Sequence, residues 1–167
     1  MNPVLLIVDM HKGYYEKFPK EGQETMDMAC ITINLALELF RKNNLPIVWI
    51  KDDGKDGMYK DTPGYEIVEK LEQKENEITI CKRYKNGFNK TNLLEYIIGN
   101  SIDTIIITGI SAGRCVLSTY RAAEDYDLKP IILKGSLGEY STGEIEFVEN
   151  ISEIITINEL EKIIENI

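Results

Sequence analysis

Residues 103–115 read Asp-Thr-Ile-Ile-Ile-Thr-Gly-Ile-Ser-Ala-Gly-Arg-Cys (DTIIITGISAGRC). The run Asp103–Thr108 has the unbroken apolar, β-branched character of a strand covered on both faces. It stops at Gly109, crosses a loop with a second glycine, Gly113, and opens a helix over Arg114–Tyr126. A strand, a glycine loop and a helix in that order form the repeating unit of an α/β sheet.

The same alternation extends in both directions. Val4–Val8 (VLLIV) is a first buried strand. Thr25–Lys42 reads as a helix, with Met28, Ile31, Leu35 and Leu39 recurring at helical spacing. Asn43-Asn44 ends it, since Asn tolerates the left-handed cap position. Pro46–Lys51 is a second strand, Glu66–Gln73 a short amphipathic helix, Glu77–Cys81 a third strand and Lys90–Ile98 a helix. Pro130–Leu133 gives a fifth strand, Ile151–Thr156 a last one, and Glu159–Glu165 a closing helix. The expectation is one α/β domain over 1–167: a doubly wound, mostly parallel, Rossmann-like sheet of about six strands with helices on both faces.

In such sheets the ligand crevice lies beyond the carboxyl ends of the strands. Asp9 follows the first strand, Asp52 and Asp53 the second and Lys82 the third, while Gly109–Cys115 follows the fourth. The topology therefore gathers them on one edge. Composition narrows what that edge does. The chain carries 19 Lys and Arg against 28 Asp and Glu, a net charge of −9. Nucleic acid and anionic membrane are disfavoured as partners, because phosphate binding needs clustered cations. The only basic cluster is Lys82-Arg83-Tyr84-Lys85. No apolar run approaches the roughly 18 residues of a membrane span, and the N-terminus lacks the marks of a signal peptide. A cytoplasmic location is the expectation. Three cysteines, Cys30, Cys81 and Cys115, with no CxxC pair and one histidine, His11, give neither a disulfide framework nor a closed zinc site.

Cys115 stands at a helix start, where unpaired N–H groups lower a thiol's pKa and cradle an oxyanion. A buried core cysteine is the ordinary alternative. Asp9 serves as a base or caps a turn. Lys82 pairs with Asp9, tunes Cys115 or is merely solvated. His11 flanks the crevice or satisfies a structural role. Asp52, Asp53 and Asp56 form either a hard-cation loop or a solvated turn. Tyr14, Trp49, Tyr84 and Phe88 are pocket-wall candidates, with core or rim as the alternative.

Several motifs, in order, resemble the isochorismatase-like cysteine hydrolases, a superfamily that includes nicotinamidases and carbamoylsarcosine-type amidohydrolases. Leu5-Leu6-Ile7-Val8-Asp9-Met10 resembles the family's first strand and acid. Thr62-Pro63-Gly64-Tyr65-Glu66-Ile67 resembles the segment before its third strand. Lys82 through Phe88, then Thr91 and Leu93, resembles the lysine element. Gly109 through Val116, then Thr119 and Ala122, resembles the nucleophile motif. Thr156-Ile157-Asn158-Glu159-Leu160 is similar to its C-terminal step.

The resemblance implies a catalytic triad of Asp9, Lys82 and Cys115, and a cis peptide at Ile110–Ser111. The Ser111 and Cys115 N–H groups would form an oxyanion site. It also implies a homo-oligomer acting on a small amide or ureido substrate, without cofactor or metal. Departures are Asn86-Gly87 in place of Ser-Ala, His11 in place of Gln or Asn, Gly135 in place of Asp and Asp127 in place of Gly. The loop after strand two also lacks the Asp-x-His pattern that holds metal in nicotinamidases. Cys115 directs the expectation to C–N hydrolysis. Two rivals are a binding or redox-sensing relative with a reactive Cys115, and a phosphoacceptor receiver domain using Asp9, Asp52 or Asp53, Thr108 and Lys134.

Overall fold

All six residues of β1 (Pro3–Val8) are buried. In the computed structural model, which describes residues 1–54 and 58–167, this strand is central. It pairs in parallel with β2 (Ile47–Asp52) on one side and β4 (Thr104–Gly109) on the other. β3 (Ile78–Lys82) adds beyond β2, and β5 (Lys129–Leu137) and β6 (Ile154–Ile155) beyond β4. The order is β3-β2-β1-β4-β5-β6, and every pairing is parallel. The chain builds outward from β1, then returns to its other side. The switch point therefore falls between the ends of β1 and β4, where such sheets open a crevice.

Alternation along β1 divides the core in two. Leu5 and Ile7 join Trp49, Ile106 and Leu133 under α2 (Lys20–Lys42) and α6 (Ile157–Ile164). Val4, Leu6 and Val8 join Val48, Ile50, Ile105 and Ile107 under α3 (Leu93–Gly99) and α4 (Leu117–Asp125). α1 (Lys12–Lys17) and α5 (Thr142–Asn150) pack at the ends.

Several local readings need correction: α1 has no counterpart in the sequence reading, and α3 begins at Leu93 rather than Lys90. α2 begins at Lys20 rather than Thr25, and it buries mainly the other stripe: Met26, Ala29, Ile33, Leu37 and Phe40 face the sheet, whereas of the expected positions Leu39 is buried and Met28, Ile31 and Leu35 are exposed. Both stripes are apolar at helical spacing, so periodicity alone does not choose between them. Residues 66–73 are not helical. They run alongside the chain after β1, with a bridge from Ile67 to His11 and a bond from the Val68 N–H to Met10 O. α5 was not expected from the apolar pattern, because Val148 is its only buried residue. The last strand shrinks to Ile154–Ile155, enough to pair with Ile132 and Leu133.

Candidate active site

Gly109 ends β4 with φ +106°, and a Cβ there would meet Val8 O at 2.2 Å. Only glycine lets the chain turn this close to β1. The Ile110–Ser111 peptide that follows is cis. Across the switch point Asp9 also leaves its strand with φ 52°, an uncommon conformation for a residue with a side chain. Both strand ends thus turn sharply beside each other.

Lys82 ends β3, two strands away, and its long side chain spans the gap. Its Nζ lies 2.7 Å from Asp9 Oδ2, 3.4 Å from Cys115 Sγ and 4.0 Å from Asp52 Oδ2. Lys82 and Asp9 are both fully buried. Their contact is an ion pair; among the described residues the Asp9 oxygens have no well-aligned donor, and Lys82 and the Cys115 thiol are the groups beside them. Burial pushes the Asp9 carboxyl above its ordinary range, and the Lys82 charge only partly opposes this. For Lys82, desolvation pulls the other way, but the neighbouring Asp9 and Cys115 prevail and its ammonium is held above its usual value.

Cys115 sits in a wide turn, Ala112–Val116, that precedes α4. Ser111 O accepts from the Arg114 and Val116 N–H groups at 3.0 and 3.2 Å, passing over the N–H of Cys115 between them. Such widened turns are frequent at functional sites. Thr119 fixes the turn from below: its hydroxyl donates to Cys115 O and accepts from the Gly87 N–H, at 2.8 and 2.9 Å. The expectation of a low-pKa thiol is not met. Burial, then the nearby Asp9 charge, push the Cys115 thiol up to about 12, against the lowering effect of Lys82. Asp9 and Cys115 therefore compete for protons beside one fixed cation, as coupled groups do.

Asp52 forms the outer wall. Its Oδ2 accepts from the Tyr14 hydroxyl at 2.7 Å, and its N–H donates to His11 Nε2 at 3.0 Å. His11 Nδ1 lies 2.7 Å from Tyr65 O. These partners assign a neutral ring with its proton on Nδ1. Burial also lowers the histidine's pKa. Both nitrogens are engaged with the backbone, so His11 is structural.

A cleft of about 830 Å³ opens onto Asp9, Asp52, Ser111 and Cys115, within the roughly 300–1,000 Å³ of small-molecule sites. Tyr14 and Tyr84 line it. Trp49 and Phe88 do not. Trp49 lies in the core under α2 and donates from its indole N–H to Glu77 at 2.8 Å. Phe88 packs into the opposite core and against Tyr126. Strand alternation turned Trp49 inward, and the loop after β3 folds Phe88 back onto α4. In the receiver reading Thr108 lines the site; its hydroxyl instead donates to Leu6 O inside the sheet. Among the described residues no group of three or more His, Cys, Asp or Glu is placed to hold a metal ion. Asp56, named with the acidic loop, lies outside the described residues. Nor is any described helix long and apolar enough to cross a membrane.

Glu139 was not singled out in the sequence. It follows β5 at the same sheet edge and is completely buried. Its carboxylate accepts from the Gly113 N–H at 3.1 Å, the Tyr140 N–H at 3.0 Å and Arg114 Nη1 at 2.9 Å. The available signal was its position: an acid just past the fifth strand, where the topology converges.

A parallel sheet in this order, with an acid, a lysine and a cysteine meeting at its switch point, defines a doubly wound α/β domain with a thiol-centred cleft. The family model for the isochorismatase domain matches residues 3–150, and the chain belongs to that family. It is 31% identical over 120 residues to the uncharacterized isochorismatase family protein YrdC of Bacillus subtilis (strain 168), covering 70% of this chain and 63% of that protein. It is 27% identical over 100 residues to the N-carbamoylsarcosine amidase of an Arthrobacter species, covering 60% of this chain and 38% of the amidase. Both matches span less than two thirds of the relative. In fold it is similar to an isochorismatase-like hydrolase from Alkaliphilus metalliredigens, with a TM-score of 0.84, 22% identity and coverage of 98% and 99% of the two chains.

Proposed function

We propose that the protein is a cysteine hydrolase that cleaves a C–N bond of a small amide or ureido compound through a thioester on Cys115. The observation that carries this reading is the contact of buried Lys82 with both Asp9 and Cys115, at 2.7 and 3.4 Å, the latter two lining the cleft. The likeness to an N-carbamoylsarcosine amidase supports C–N chemistry.

In this reading Asp9 takes the Cys115 proton as sulfur attacks the carbonyl carbon. A carboxyl raised by burial is a better base than an ordinary aspartate, which narrows the gap to a thiol near 12. The Lys82 ammonium lies beside both groups and stabilises the negative charge whether it sits on Asp9 or on the Cys115 sulfur. The Ser111 and Cys115 N–H groups hold the tetrahedral oxyanion; one such donor is worth about 10²–10³ in rate. Collapse expels the amine, which takes the proton from Asp9. Water, deprotonated by Asp9, then cleaves the thioester and regenerates the thiol. No step calls on a cofactor, and the partner is the small substrate itself. The family resemblance supports a homo-oligomer.

The test is intact-mass analysis during exposure to a panel of amides and ureido compounds. The expected result is an acyl adduct that maps to Cys115 and is absent from Cys115→Ala. Turnover that persists in Cys115→Ala breaks the reading. A Cys115 that oxidises readily yet acylates with no member of the panel favours the redox-sensing alternative.

A further inference from the structure

The cleft carries a charge pattern that the hydrolytic step does not use. The protein has a net charge of −9, yet Lys17, Arg83, Lys85 and Arg114 all line this one opening. Arg114 is held by several contacts. Its Nη1 donates to Glu139 at 2.9 Å, its guanidinium lies 4.9 Å from the centre of the Tyr140 ring, and that ring packs on Phe18 at 4.6 Å. Phe18 and Tyr140 line the same cleft. The Arg114 side chain remains 45% exposed while Glu139 is sealed. Among the described residues its Nε and Nη2 donors have no protein partner.

Glu139 is in turn rigid. Besides its three side-chain acceptor bonds, its N–H donates to Thr25 Oγ1 at 3.0 Å, and its carbonyl accepts from the same hydroxyl at 2.8 Å. These donors offset the cost of taking the Glu139 carboxylate out of water. The result is a long cation fixed in advance on a cleft wall, one residue from the thiol, with part of its donor fork unused. Fixing arginine beforehand removes much of the ordering cost of anion binding, and its planar fork matches a carboxylate.

Resting on the reading of Cys115 as nucleophile, we propose that Arg114, held by Glu139 and Tyr140, is a specificity-determining residue that binds a carboxylate on the substrate. The substrate class narrows to amides or ureido compounds that carry a carboxylate away from the scissile bond. The two acids of the lining, Asp9 and Asp52, both face Lys82, at 2.7 and 4.0 Å, and Asp52 also accepts from the Tyr14 hydroxyl. Arg83 and Lys85 supply the attractive field at the mouth.

The test compares iodoacetate with iodoacetamide at Cys115, by peptide mapping at one fixed pH. In both reactions the thiolate sulfur displaces iodide; the reagents differ in carrying a carboxylate or a neutral amide. The expected result is an iodoacetate-to-iodoacetamide rate ratio at least about tenfold above that of N-acetylcysteine, the usual worth of a charge-assisted hydrogen bond. Arg114→Gln should lose that excess by slowing iodoacetate far more than iodoacetamide. The double variant Arg114→Gln/Glu139→Gln removes both charges and guards against a folding defect caused by an unpaired Glu139; it should show the same loss. A merely structural role would slow both reagents together. That result, or a wild-type ratio equal to that of N-acetylcysteine, overturns the proposal. If Cys115 is inert to both reagents, the nucleophile reading fails. The carboxylate site is then decided by calorimetry on Cys115→Ala with N-carbamoylglycine and its neutral amide. Preference for the acid that is lost with Arg114 supports it; equal affinity or no binding to either overturns it.

Discussion

Two buried carboxylates stand at the same sheet edge, each facing one cation, and they are built in opposite ways. Glu139 accepts three aligned hydrogen bonds, two of them from backbone N–H groups. Asp9 touches Lys82 at 2.7 Å, but among the described residues neither of its oxygens has a well-aligned donor, and burial pushes its pKa up. A carboxylate saturated with donors is fixed in place and serves as structure. One left short of donors is ready to exchange a proton. The difference separates a clamp from a base, although both would be tallied as salt bridges.

The largest effect expected from this contrast is on chemistry. Asp9→Asn should lower kcat on any amide or ureido substrate by about 10²–10⁴, the usual worth of a general base, whereas Glu139→Gln should cost much less. Equal losses would dissolve the distinction. On stability, Lys82→Ala leaves Asp9 buried without its cation and should cost about 3–5 kcal/mol by urea denaturation. Pairing it with Asp9→Asn should recover much of that loss. If it does not, packing of the lysine stem rather than charge is what the fold needs.

The proton traffic gives a signed pH dependence. Cys115 is raised from 9.0 to about 12 in the folded protein. A raised group contributes stability that is fully present below its unfolded pKa and is lost as pH rises through its folded one. Between about pH 9 and 12 the wild type should therefore lose up to about 1.4 kcal/mol per pH unit relative to Cys115→Ala. Urea midpoints of the two proteins across that range check it. Parallel profiles would mean that the thiol is not buried beside Asp9 as described.

How much of this was legible in the sequence depended on whether a signal was local. The continuous apolar runs at Val4–Val8 and Asp103–Thr108 announced central strands, and Asp9, Lys82 and Cys115 followed from strand ends and motif order. α2 was harder: Met28, Ile31 and Leu35 keep helical spacing as well as Met26, Ile33 and Leu37 do, and only the sheet decides which stripe is buried. Trp49, near a strand end, is a candidate for cleft or core on sequence, and the two-residue alternation of β2 sends it into the core. Glu139 lacked any local signature, because its importance comes from Gly113 and Arg114, about 25 residues earlier, meeting it in space.

The smallest predicted effect tests the clamp itself. Arg114→Ala removes one of the three donors to Glu139 and leaves the Gly113 and Tyr140 N–H groups in place. Because the arginine is nearly half exposed, water screens part of the pair. The cost should be about 1–2 kcal/mol, well below that of Lys82→Ala. Combining it with Glu139→Gln in a double-mutant cycle isolates the coupling between the two side chains. Coupling near 1 kcal/mol fits a carboxylate secured mainly by the backbone, with the arginine positioned by it. Coupling as large as the cost of Lys82→Ala would make Glu139 depend on Arg114 for its burial, and the two ion pairs would then be of one kind.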